Sequence, residues 1–211
     1  MYLTSAFDAK DPALARELMR AHPLAQLISV DDDGLPYATP VPMHLQEEGS
    51  DVVLLGHCAR ANPHWRYLQE RPQAVVSFMG PQAYMSPSVY PDLARVPTWN
   101  YLMVHCTVQA RLIDALDDKD ALLKHLIGDH DPAYAAQWRS LDPAFQQRML
   151  GAIVAFELRV TQLQCKLKLN QHRPEAHAAM YASYAQGNAD ERALAVWMRR
   201  LGLVDASSSA D

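Results

Sequence analysis

At Asp11-Pro12, Asn62-Pro63, Asp131-Pro132 and Asp142-Pro143 an acidic or amide side chain stands directly before a proline. Asp and Asn cap helix N-termini, and proline suits the first helical position, where its missing N–H has no intrahelical partner to lose. These pairs fix where helices begin and leave the stretches between them to strands. The first predicted helix opens at Asp11-Pro12, places Leu14, Leu18 and Ala21 on one side, and stops before Pro23. A short helix opens at Asn62-Pro63 and ends near Arg71-Pro72. Residues 118–147 read as helical with interruptions at Pro132 and Pro143, and 175–201 as one or two helices broken near Gly187-Asn188.

The remaining hydrophobic runs are β-like. Residues 24–30 (LAQLISV), a turn at Asp31 to Gly34 and a strand over 37–45 give a hairpin signal. Further strands are expected over 51–56, 74–79 (ended by Gly80-Pro81), 98–115 (as one strand or two with a bend) and 153–169. Six short-spaced strands with late helices favour a closed antiparallel barrel over alternating βαβ units, so the class is mainly β with added helices (α+β). The expected organisation is a single domain over 1–205, with a helical insertion at about 117–150 and C-terminal helices at about 174–202. A disordered tail is expected over 206–211, where Ser207, Ser208 and Ser209 run together.

Composition removes several function classes. The N-terminal residues include Asp8, Lys10, Asp11, Arg16 and Glu17 without a long apolar run, which argues against a signal peptide, and no later segment reads as a membrane span. Cys58, Cys106 and Cys165 are far apart and form no CxxC pair, so they read as reduced thiols of a cytoplasmic protein. A net charge of −5 weighs against charge-driven nucleic-acid binding. The chain holds no GxSxG, Walker, HExxH or GxGxxG motif. His125 and His130 lie five residues apart on a helix, which separates them, and read as surface histidines; no metal site is expected.

Three segments carry chemistry. In Gly56-His-Cys-Ala-Arg-Ala-Asn-Pro-His-Trp65 a strand end, an arginine turn and a helix start follow one another. Arginine offers a planar fork of donors to phosphate oxygens, so this is either a phosphate cradle, with His57 adding a hydrogen bond, or a capped helix with an exposed Arg60. In the second, 80–101, strand periodicity puts Trp99, Tyr101, Met103 and His105 on one face and Asn100, Leu102 and Val104 on the other. The flat rings suit a ligand, a subunit interface or a barrel core; polar Ser86, Ser88, Thr98 and Asn100 tilt the reading toward a ligand pocket. In the third, 165–174, Lys166, Lys168 and Asn170 share a strand face, either as flavin donors or as the wet side of an amphipathic strand.

Taken together, LGHCARANPHW (55–65), GPQAYMSPSVY (80–90), VPTWNY (96–101), GAIVAFELRVTQL (151–163) and KLKLNQ (166–171), with the opening Met-Tyr, resemble the PaiB family of FMN-binding negative transcriptional regulators. The resemblance implies an FMN-binding split β-barrel, a homodimer with FMN at the subunit interface, and a regulatory role without an established turnover. It implies a phosphate site around His57, Ala59, Arg60 and Asn62, and ring contacts from Thr39, Val41 and Pro42. Tyr84, Ser86, Trp99, Asn100, Lys168 and Gln171 would close the pocket, some of them from the second subunit. Where the family tends to read Lys-Leu-Ser-Gln-Asn, this chain has Lys168-Leu169-Asn170-Gln171-His172.

Three functions fit this reading: an FMN-binding repressor, an FMN-dependent oxidoreductase with a nicotinamide donor, and a haem-handling protein on the same barrel. The acidic charge and the lack of a basic recognition helix make the first, acting indirectly and without direct DNA binding, the expectation. An alternative basic patch would comprise Arg192, Arg199 and Arg200.

Overall fold

The computed structural model describes residues 1–49, 51–92 and 94–205; the expected tail over 206–211 lies outside them. In chain order the elements are α1 (Pro12–Ala21), β1 (Leu24–Val30), β2 (Pro36–Pro42), β3 (His44–Glu48), β4 (Asp51–Ala59), α2 (His64–Glu70) and β5 (Gln73–Met85). They continue with β6 (Thr98–Ile113), α3 (Leu116–His130), α4 (Tyr134–Ser140), α5 (Pro143–Gly151), β7 (Ile153–Lys168), α6 (His177–Ala185) and α7 (Ala189–Arg200). The strands form one sheet in the order β2-β1-β5-β6-β7-β4-β3. The class is α+β, and the fold is the split β-barrel with added helices.

Two of the four expected openings, at Asp11 and Asp142, cap as the sequence demands; α2 starts only at His64, after Pro63, and α4 at Tyr134, where Ala133 stands before the helix and no side chain caps it. Asp11 Oδ1 accepts from Ala13 N (2.9 Å) and Asp142 Oδ1 from Phe145 N (3.0 Å), and Asn188 with Glu191 forms a capping box at the start of α7. Asp31 Oδ1 accepts from Asp33 N and Leu35 N, and Gly34 takes φ +80°, which closes the β1–β2 hairpin.

The strand expected over 37–45 is two strands. Met43 N donates to Pro23 O (2.9 Å), one step beyond the Leu24–Pro42 pair of the β1–β2 ladder, and from His44 on the chain leaves β1 and pairs with β4 as β3. The expected stop at Gly80-Pro81 does not occur, and β5 runs on to Met85. A Cβ at Gly80 would lie 3.2 Å from Leu102 O and Leu102 Cβ, so glycine here permits close approach to β6, and Pro81 is buried within the strand.

The chain forms two compact units. One comprises Met1–Leu18, Met79–Val104 and the chain from Gln164 on; the other comprises Met19–Phe78 and His105–Leu163. In the second unit β4 pairs antiparallel with β7, with Gly56 opposite Phe156 and His57 opposite Ala155. Val53, Leu55 and Ala155 form a core with Leu122 and Leu126 of α3, while the alternate residue Leu54 is buried as well. Cover on both faces explains why β4 reads as a continuous apolar run rather than an alternation. In the first unit Leu102, Val104, Leu167, Leu169, Met180, Tyr184 and Leu194 are buried.

Candidate functional site

After β4 ends at Ala59 the chain turns sharply, with Asn62 N donating to Ala59 O (2.9 Å), and enters α2. Asn62 Oδ1 accepts from His64 N (3.0 Å) and, at 3.4 Å, from Tyr37 OH. This fixes the amide's orientation, so Nδ2 is the end that donates to Thr39 Oγ1 (3.3 Å). The same hydroxyl lies 2.8 Å from His64 Nδ1. His64 is fully buried, and Nε2 has no partner. Burial pushes the His64 pKa down to about 4, so the ring is neutral at pH 7. Tyr37 meets the His64 ring edge-on at 5.2 Å.

Around this cluster stand the other residues expected here. His57 is half-buried on β4; its Nδ1 is buried without a partner, and burial lowers its pKa. Val41 packs over β4: a Cβ at Gly56 would lie 3.1 Å from Val41 Cγ1, 3.0 Å from Phe156 Cε2 and 2.9 Å from Met43 Sδ. Pro42 is half-buried at the end of β2, and Ala59 is exposed opposite Ile153. Arg60 is exposed, but its guanidinium is anchored: Nε donates to Gly151 O (2.8 Å) and Nη2 to Ile153 O (3.3 Å). Its backbone N donates to Ala152 O (2.8 Å), and its carbonyl accepts from Trp65 Nε1 (3.0 Å). Nη1 makes no hydrogen bond with a described residue. The turn therefore presents a positioned arginine edge beside two neutral histidines whose buried nitrogens lack partners, a setting that fits a phosphate ester.

The remaining expected residues lie in the other unit and divide. Tyr84 and Trp99 are half exposed and meet edge-on at 6.2 Å. Ser86 Oγ accepts from Ser88 N (3.2 Å) and Ser88 Oγ (2.8 Å), capping a 3-10 turn. The β6 face of Asn100, Leu102 and Val104 is the core side; the face of Trp99, Tyr101, Met103 and His105 is only partly covered. Asn100 thus points away from Trp99, and its Nδ2 donates to Tyr184 OH (2.9 Å) and Met180 Sδ (3.1 Å). Gln171 is engaged internally: Oε1 accepts from Leu169 N (2.9 Å) and Nε2 donates to Leu167 O. Lys168 Nζ donates to Thr98 Oγ1 and Trp99 O, both at 2.6 Å.

Sequence reasoning missed His64, although it stands two residues after the capping Asn62 and one after Pro63. Its signal was that a histidine at a helix start has no helical reason to be there. Among the described residues no group of three or more His, Cys, Asp or Glu is placed to hold a metal ion.

Residues 1–162 match the family model described as "Putative FMN-binding domain". The chain is 32% identical over 148 residues to protease synthase and sporulation protein PAI 2 of Bacillus subtilis, covering 68% of this chain and 70% of that protein. Among solved structures, the flavocytochrome Anf3 of Azotobacter vinelandii superposes with a TM-score of 0.61 at 19% identity, over 80% of this chain and 73% of that one. The FAD and heme binding protein of Mycobacterium smegmatis gives 0.55 at 23% identity, over 76% and 73%.

Proposed function

This chain belongs to the PaiB family of FMN-binding split-barrel proteins and its cofactor is FMN, and from that premise we propose that it is a negative regulator of transcription that acts indirectly, through its flavin or a partner protein. The name of the Bacillus subtilis relative, protease synthase and sporulation protein PAI 2, which ties it to sporulation, supports the regulatory part.

The indirect part rests on how the C-terminal arginines are engaged. Arg200 forms an ion pair with Glu17 and lies over the Trp197 ring at 4.6 Å; Arg199 lies over Tyr181 at 4.8 Å; Arg192 Nη1 donates to Gly187 O. Neutralising DNA phosphates requires clustered cations with open donors, and the chain carries 19 Lys and Arg against 24 Asp and Glu. Fluorescence anisotropy with promoter fragments at physiological salt tests this: weak, non-selective binding is expected. Tight, sequence-selective binding lost on substituting Arg192, Arg199 and Arg200 contradicts it.

FMN bound at the β4–α2 turn supplies reversible electron transfer. On this reading Arg60 Nη1 holds the phosphate, His57 adds a contact from β4, and Asn62 and Thr39 fix the buried His64 ring behind the turn. Val41 and Pro42 border the ring. The protein works as a homodimer: Tyr84 and Trp99, 50% and 54% exposed, meet edge-on in one unit as an aromatic pair that a second copy would cover. The three cysteines are buried and free, which supports a cytoplasmic setting, and no helix among the described residues is long and apolar enough to cross a membrane.

A further inference from the structure

A cavity of about 410 Å³ lies wholly within the unit that contains the N-terminal segment, 79–104 and the chain from 164 on. Thr98 and Asn100 of β6 and Lys168 of β7 line it, joined by Asn170 and Arg173 just beyond β7. Phe7, Tyr90 and Val96 supply an apolar wall.

Its charge is one-sided. Among the described residues no Asp or Glu lines it. Lys168 Nζ has only neutral partners, Thr98 Oγ1, Trp99 O and the Tyr101 ring at 5.7 Å, and no carboxylate answers its charge. Burial, and then neighbouring Lys166, lower the Lys168 pKa, the response of a cation short of counter-charge. The Arg173 side chain makes no hydrogen bond or ion pair with a described residue, whereas Arg95, the other arginine on the wall, is answered by Asp92 and Glu175.

Asn100 adds an independent demand. It is fully buried, Nδ2 is engaged by Tyr184 and Met180, and Oδ1 is buried without a partner. A buried acceptor with nothing donating to it destabilises the fold, and a ligand carrying an O–H or N–H removes that cost. The wall opposite is fixed: Asn170, at φ +61°, is bonded to Tyr90 OH through its side chain and accepts from His177 Nε2 (3.0 Å) through its carbonyl. A volume of this size suits a small organic molecule.

We propose that this cavity binds a small organic carboxylate that also carries a hydroxyl or amino donor, with the carboxylate on Lys168 and Arg173, the donor on Asn100 Oδ1 and the carbon skeleton against Phe7, Tyr90 and Val96. This assigns Lys168 and Asn100 to a ligand other than FMN, and it does not rest on where the flavin sits. Calorimetric titration of the flavin-loaded protein with 4-hydroxybenzoate, benzoate and benzylamine tests it. The hydroxybenzoate, with both anion and donor, binds most tightly, benzoate more weakly, and the cation not at all. Arg173→Ala weakens hydroxybenzoate binding by about tenfold or more, the worth of one charge-assisted bond, and Arg173→Lys recovers part of it. FMN content and thermal midpoint stay those of the parent in both variants. Absence of hydroxybenzoate binding at millimolar concentration, benzylamine binding equally well, or indifference to Arg173→Ala overturns the proposal. Loss of FMN from a folded Arg173→Ala variant overturns it too, since the cavity would then belong to the flavin.

Discussion

Thr39 Oγ1 lies 2.8 Å from His64 Nδ1, tying the middle of β2 to the first residue of α2 through a fully buried imidazole. Removing the hydroxyl leaves a buried ring nitrogen and the Asn62 amide without their partner. Thr39→Val, nearly isosteric, is expected to lower stability by about 1–3 kcal/mol, and Thr39→Ser to recover most of it. Urea unfolding of the two variants beside the parent measures this; equal midpoints for Thr39→Val and the parent would contradict it.

The same histidine sets a pH dependence. Its pKa falls from an ordinary value near 6.5 in the unfolded chain to about 4 in the folded protein, because burial penalises the charged ring. The unfolded chain therefore binds the proton first as pH falls. The stability contributed by neutral His64 is complete above about 6.5 and is lost progressively as pH drops toward about 4. His64→Gln should remove part of the parent's acid sensitivity between these values. Parallel stability profiles for the two proteins across that window would show that the ring does not titrate this way.

Gly56 is where β4 admits Val41, Met43 and Phe156 at distances of 2.9–3.1 Å from a would-be Cβ. Gly56→Ala forces those side chains outward and should cost about 1–3 kcal/mol, read as a lower denaturation midpoint. An unchanged midpoint would mean the core yields more easily than its packing suggests.

Gln171 closes the end of β7 on itself through Leu167 O and Leu169 N. Gln171→Ala is expected to lower stability by about 1 kcal/mol while leaving the FMN dissociation constant unchanged. A variant with parent-like stability and weakened FMN binding would return Gln171 to the flavin site.

These cases mark what the sequence could and could not disclose. The starts of α1 and α5 were legible because Asp11-Pro12 and Asp142-Pro143 act locally, through a side chain and a missing N–H within one turn, whereas Asp131-Pro132 stands ahead of α4 without capping it. The break between β2 and β3 was not, since it depends on the chain changing partner from β1 up to Pro42 to β4 from His44, strands that no local pattern names. Nor was the continuation of β5 through Gly80-Pro81, which local chemistry reads as a stop and close approach to Leu102 permits. At the site, alternation along β6 correctly separated Trp99 from Asn100 but left open which face was core. The proximity of His64 to Thr39 joins residues whose relation no local pattern encodes.

Assembly is tested at the exposed aromatics. If Tyr84 and Trp99 lie in a two-fold interface, Trp99→Glu should shift the protein from dimer to monomer by light scattering at micromolar concentration. A parent protein that is monomeric with FMN bound would remove the interface altogether.

The phosphate assignment at the β4–α2 turn is tested most directly by titrating the apo-protein with FMN and with riboflavin, which lacks the phosphate. In the parent, FMN should bind far more tightly than riboflavin. Arg60→Ala should weaken FMN by about 1.5–3 kcal/mol, the range for hydrogen bonds to charged groups, and leave riboflavin unchanged. Equal loss for both ligands, or no loss for FMN, would place the phosphate elsewhere.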